Sequence, residues 1–216
     1  AWKTEARPDF LRQRCGDRAG DRPIVLFLSR LHPKKGVTDL LLPACARLKA
    51  DAFLALAGGR DEHEPGYEAE VRGLVERLGL SGRTAFLGSI SSEERWWIYD
   101  GAAVFVLPSH SENFGIVVTE AMARGRAVVV SDAVQASAHV VRAGAGRVVP
   151  LQMEALAASL DELLASPKTL AEMGERGRAY AREHLSWERI AAMIARTYEV
   201  CLGTYPDKET GPLALV

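Results

Sequence analysis

The stretch "SENFGIVVTEAMARGRAVVVSD", Ser111 to Asp132, holds two carboxylates at a spacing that chemistry can use. Glu112 and Glu120 stand eight positions apart, with Phe114 and Gly115 between them. Gly115 falls at or near a helix start, and without a Cβ it lets a ligand come close to the backbone. The free N–H groups of such a turn, with the positive end of the helix dipole, favour a phosphate. Helical side chains lean toward the N-terminus, so Glu120 reaches back over the turn that holds Ile116 and Val117. A carboxylate repels a phosphate. One kept beside it is suited to accept hydrogen bonds from sugar hydroxyls, which ionised carboxylates do strongly. One glutamate before the helix and one within it would grip two sugars on either side of a diphosphate. The plainer alternative makes Glu112 a helix-start charge and Glu120 a solvated one.

A second segment, "FLSRLHPKKG", puts Arg30, Lys34 and Lys35 just past an apolar run. Arginine grips phosphate with two parallel bonds, and lysine acts as a point charge. A solvated basic loop is the alternative for these cations taken alone. The loop matches neither GxGxxG nor GxxxxGK[ST], which argues against an ordinary dinucleotide site and against a P-loop NTPase.

The elements that must carry these residues alternate. Apolar strand-like runs occur at "IVLFLS", "AFLALAGG", "TAFLG", "AVFVLPS", "RAVVVS" and "GRVVP". Between them lie helical patterns. "VTDLLLPACARLK" is one, with Pro43 as a blemish. "YEAEVRGLVERLGL" is another, its Val71, Leu74, Val75 and Leu78 at helical spacing. "SSEERWWIYDGA" carries a helix-start signature, and "FGIVVTEAMARG" is closed by glycine. Three further helices are expected from Leu151, Lys168 and Ser186. Adjacent Trp96 and Trp97 face different ways, one toward the core and one toward the surface.

Strands apolar on both faces, separated by helices, specify a parallel sheet covered on both sides. The fold class is therefore α/β: a single doubly wound Rossmann-like domain over residues 23–202. Residues 1–22 read as a linker or approach segment, and 203–216 as a loose tail. Ligands of such sheets sit at the carboxyl ends of the strands, which makes the loops after the strands the place to look.

Composition narrows the partners. The chain has 216 residues, 27 basic and 28 acidic side chains and a net charge of −1. That balance argues against a nucleic-acid binder and shows no sign of membrane association. Cys15, Cys45 and Cys201 are far apart and odd in number, so neither a zinc site nor a disulfide framework is expected. No metal and no cofactor is expected, and a reducing cytoplasm is the simplest compartment. The opening "AWKTEARPDF" lacks a methionine and reads as a fragment or processed form.

Taken together, these segments resemble the retaining glycosyltransferases of the two-Rossmann-domain (GT-B) type, group 1, which include glycogen and sucrose synthases. The residues that carry the resemblance are "FLSRLHPKKG", "LALAGGR", "RTAFLGSISSEE" and "VFVLPSHSENFGIVVTEAMARGRAVVVSD", in the family's order. They run from about Ile24 to Pro150. The resemblance implies the C-terminal half of a GT-B fold, binding a nucleotide-diphosphate sugar as donor substrate. By carry-over, Arg30 and Lys35 hold the diphosphate, and Glu112 faces the transferred sugar. Phe114, Gly115 and Ile116 offer backbone to phosphate and sugar, with Asn113 beside them. Glu120 takes the ribose hydroxyls. The loop around Leu87 to Ile90 lies along the base.

Three departures stand out. Ser29 replaces the family's frequent glycine, and His139 stands where many members have glutamate. His110 sits beside the site, where a lone loop histidine reads as a surface hydrogen-bonding group. The resemblance places the acceptor site on an N-terminal domain that this chain lacks. The chain is thus expected to bind donor without turning over alone, and peripheral membrane attachment of the full-length protein stays open. Two other readings remain: the donor half of a nucleotide-sugar epimerase, and a non-enzymatic Rossmann-like module. Contact of both glutamates with sugar hydroxyls would separate them from a transferase.

Overall fold

The computed structural model describes residues 5–202. All six apolar runs form strands: β1 (Ile24–Leu28), β2 (Phe53–Ala57), β3 (Thr84–Gly88), β4 (Val104–Leu107), β5 (Ala127–Ser131) and β6 (Gly146–Val149). They make one parallel sheet in the order β3-β2-β1-β4-β5-β6. Every residue of β1, β2, β4 and β5 is buried, as expected of strands covered on both faces. The chain steps outward from β1 through β2 to β3, then returns and steps the other way from β4 to β6. Right-handed crossovers in opposite directions lay helices on opposite faces, which is the doubly wound architecture expected from the sequence.

The helices are α1 (Phe10–Cys15), α2 (Leu42–Ala46), α3 (Tyr67–Arg77), α4 (Glu94–Asp100), α5 (Ile116–Ala123), α6 (Ser137–Ala143), α7 (Met153–Leu164), α8 (Pro167–His184) and α9 (Trp187–Cys201). Helix α2 packs on α7, and α5 packs on α8. The start of α4 is a capping box: Ser91 Oγ accepts from the Glu94 N–H at 3.2 Å, and Glu94 Oε2 accepts from the Ser91 N–H at 3.1 Å.

Two local expectations change. The continuous helix expected after Val37 opens as a π-helical turn, Val37–Leu41, before α2 begins. Pro43 explains it, because its ring displaces the carbonyl four residues back and it brings no N–H to the ladder. The segment 1–22 is more than an approach: within it α1 buries Leu11 and Cys15, and Ala19 follows at 0% exposure. Trp96 and Trp97 divide as expected, since both are half-buried but Trp96 packs against the core and Trp97 against α1. Phe10 meets Trp97 edge-on at 5.2 Å, and the Arg7 guanidinium lies 4.0 Å from the Trp97 ring centre. The tail expected over 203–216 lies outside the described residues.

Candidate functional site

Strands β1 and β4 are neighbours, Val25 beside Val104 and Leu26 beside Phe105. The chain leaves their carboxyl ends in opposite directions, which opens a crevice between the two following loops. Gly36 closes the first loop at φ 67°, and a Cβ there would lie 2.2 Å from the Pro108 carbonyl oxygen. Only glycine lets the two loops touch at that point. The His110 N–H then donates to the Lys34 carbonyl at 2.8 Å.

Across this seam Lys35 Nζ meets Glu112 Oε1 at 2.5 Å, with the two side chains 12% and 15% exposed. Ser109 Oγ donates to the same carboxylate oxygen at 3.1 Å. The β4 loop is tied on its other side to the segment after β5. Glu112 bridges to Val134, and the Ala136 N–H donates to the Phe114 carbonyl at 2.9 Å. Gly115 holds φ 86° at the start of α5, and no side chain caps that helix. Its first N–H groups therefore have no side-chain partner. Phe114 and Ile116 stand exposed around this turn.

Arg30 projects outward at 66% exposure, with Nη1 2.9 Å from Asp61 Oδ2. Asp61 is buried to 2%, and its Oδ1 accepts the His63 N–H at 2.9 Å. That N–H first, and then the Arg30 charge, hold the carboxyl below its usual range despite burial. The resulting cleft is lined by Arg30, His32, Lys35, Asp61, Glu112 and Asn113, among others. It is a site of concentrated charge at the sheet's carboxyl edge, suited to a compact anion bearing hydroxyl groups.

Of the residues singled out in the sequence, Arg30, Lys35, Glu112 and Asn113 converge on this cleft. Phe114, Gly115 and Ile116 form the adjoining helix start. Glu120 does not line the cleft. Its carboxylate, 11% exposed, is held between α5 and α4, with Oε1 3.2 Å from Arg95 Nη1 and Oε2 3.1 Å from the Tyr99 hydroxyl. Burial pushes its pKa up, against the pull of Arg95. The Leu87 side chain belongs to the core, and its carbonyl accepts from Arg14 Nη2 at 3.0 Å. Ile90 is half-buried against the same core. That leaves backbone rather than side chains at the end of β3. His110 pairs with Asp39 at 2.6 Å, and His139 Nδ1 lies 2.9 Å from the Tyr180 hydroxyl.

Sequence reasoning missed Asp61, Arg95 and Tyr99. The first left a signal, an acid in the loop after β2 opposite a cationic loop. Arg95 and Tyr99 share one helix face at four-residue spacing, a weaker clue.

The chain is a doubly wound parallel α/β domain with a cleft lined by charged side chains where its strand order reverses. The chain belongs to the glycosyl transferases group 1 family, whose model matches residues 13–180. It is 33% identical over 195 residues to a GDP-mannose-dependent alpha-(1-6)-phosphatidylinositol monomannoside mannosyltransferase of Mycolicibacterium smegmatis, covering 86% of this chain and 49% of that protein. Sucrose-phosphate synthase from Thermosynechococcus elongatus superposes with a TM-score of 0.79 at 33% identity, over 91% of this chain and 49% of that one. Anabaena HepE in complex with UDP and glucose gives 0.79 at 26% identity, over 89% and 52%. The chain thus spans about half the length of the curated relatives it matches.

Proposed function

We propose that the chain is the donor domain of a retaining glycosyltransferase that moves a sugar from a nucleoside diphosphate to an acceptor. The observation that carries this reading is the Lys35–Glu112 pair across the β1/β4 seam, beside the uncapped start of α5. It puts a cation, a hydroxyl-accepting carboxylate and free N–H groups around one crevice. The diphosphate would lie against Arg30, Lys35 and the N–H groups after Gly115. Glu112 would accept from the transferred sugar, and Glu120 from the ribose.

In the transfer, the bond from the anomeric carbon to the diphosphate oxygen breaks, and a bond from the acceptor oxygen forms on the same face. The acceptor's proton passes to the departing phosphate oxygen, so no protein base is needed. Negative charge grows on the leaving diphosphate, where Arg30, Lys35 and the helix start stabilise it electrostatically. On this reading the site works without a metal ion, because protein groups supply the positive charge. The acceptor would be held by another domain of the same protein, and turnover would need both. The relatives' names speak of GDP-mannose and of UDP, and they leave both nucleotides as donor candidates for this chain. A cytoplasmic location is supported by three unpaired thiols, Cys15, Cys45 and Cys201. Among the described residues no helix is long and apolar enough to cross a membrane.

The test is calorimetry of UDP, GDP and ADP with this chain, in the presence of a chelator, alongside Lys35→Ala. One nucleotide should bind without metal, and the variant should bind it about tenfold or more weakly, as expected on loss of a charged contact. Equal binding by the variant would refute the site.

A further inference from the structure

Glu120 is buried where a carboxylate should be reluctant to ionise, yet the proposed function needs it ionised. A protonated carboxyl carries its own O–H and loses acceptor capacity. Only the anion accepts two ribose hydroxyls well. What surrounds Glu120 therefore decides whether it works.

Two residues of α4 face it. Arg95 Nη1 lies 3.2 Å from Oε1. The Tyr99 hydroxyl lies 3.1 Å from Oε2, with the Val117 carbonyl equally near. Arg95 is restrained by a cation–π contact, its guanidinium 5.2 Å from the Trp96 ring centre. Helices α4 and α5 are locked at their far ends by a bidentate Arg124–Asp100 pair, which keeps Arg95 and Tyr99 at a fixed height beside Glu120. That pair balances its own charge. Among the described residues, Arg95 is the cation that meets the Glu120 carboxylate.

We propose that Arg95 is a positioning residue of the donor site. It anchors Glu120 through one oxygen and keeps it ionised, while Tyr99 sets the rotation of the carboxylate through the other. Each oxygen retains a lone pair for a ribose hydroxyl. Neither α4 residue touches the donor; both act through Glu120. The inference rests on the donor-site reading above.

Burial raises the pKa of Glu120, and Arg95 opposes that rise. Removing Arg95 must raise it further, so affinity should fail at a higher pH. The experiment titrates UDP and GDP into the full chain from pH 5 to pH 9, for wild type, Arg95→Gln, Arg95→Lys, Tyr99→Phe and Glu120→Gln. The pH at which affinity is half lost should rise by about one to three units in Arg95→Gln, the size expected when an adjacent opposite charge is lost. Arg95→Lys should restore most of it. Tyr99→Phe should weaken binding about fivefold at every pH, as for one lost hydrogen bond, and leave the midpoint in place. A merely structural role for Arg95 would lower affinity uniformly and would not be rescued by lysine. If Glu120→Gln binds as wild type, Glu120 does not take the ribose and this inference fails, while the Lys35→Ala comparison still decides the donor-site reading. If Glu120→Gln binds weakly but Arg95→Gln keeps the wild-type midpoint, the inference alone is overturned.

Discussion

Lys35 and Glu112, 77 residues apart in sequence, meet at 2.5 Å across the seam where the sheet's strand order reverses. The pair lies in the proposed donor site and also fastens the two loops together. Glu112 is 15% exposed, so removing its cation leaves an uncompensated, mostly buried charge. Lys35→Ala should lose about 1–3 kcal/mol of stability in urea unfolding. The double variant Lys35→Ala/Glu112→Gln should recover part of that loss while binding nucleoside diphosphate no better. Equal stability of the single and double variants would show that the pair does not hold the loops.

Gly115 is the point where the backbone must turn left-handed into α5. At φ 86°, a Cβ would also lie 2.7 Å from Val134 Cγ1. Gly115→Ala should cost about 1–3 kcal/mol for the backbone conformation alone, and diphosphate affinity should fall with it as the helix start tilts. A thermal melt and a UDP or GDP titration on the same sample measure both effects. An unchanged melt with unchanged binding would mean that the turn tolerates a side chain.

The six strands were legible because each is an apolar run with no solvent face to interrupt it, "AVVVS" in β5 being the plainest. The crevice was legible for a related reason: once the strands alternate with helices, only the loops at their carboxyl ends are open, and those carry Arg30, Lys35 and Glu112. What stayed hidden depends on which side chains meet across elements. Nothing in "EERWWIYD" says that Arg95 and Tyr99 face a glutamate on the next helix. Helix α1 was hidden because its buried stripe is only Leu11 and Cys15, too short for periodicity to register. Leu87 sends its side chain into the core, so at the end of β3 it is the backbone that the loop offers.

Asp61 should give the protein an acid-sensitive element that is separate from Glu120. Its folded pKa is depressed, chiefly by the His63 N–H and then by Arg30. A depressed carboxyl contributes stability above the unfolded value of about 3.9, and that contribution is lost as pH falls through the lower folded value. Asp61→Asn should flatten the dependence of unfolding free energy on pH below about 5. Because Asp61 repels phosphate but also orients Arg30, the same variant should change diphosphate affinity at neutral pH by less than Lys35→Ala does. Unfolding curves from pH 3 to pH 7 decide the first point. An acid limb identical to that of wild type would show that Asp61 does not supply it.

Helix α1 belongs to the folding unit. Leu11 is fully buried, and α1 packs on α4, the helix that presents Arg95 and Tyr99 to Glu120. Arg14 adds an ion pair to Glu94 at 2.7 Å and a hydrogen bond to the Leu87 carbonyl, tying α1 to the start of α4 and the end of β3. Leu11→Ala should cost about 2–5 kcal/mol, the range for emptying a filled core position. Removing residues 1–22 should cost more, and it should also weaken nucleotide binding, since the support of α4 goes with it. If the truncated chain melts and binds as the whole chain does, α1 is an appendage. If both fall together, the donor domain starts before β1, and the segment that looked like an approach is part of the platform on which Glu120 is aimed.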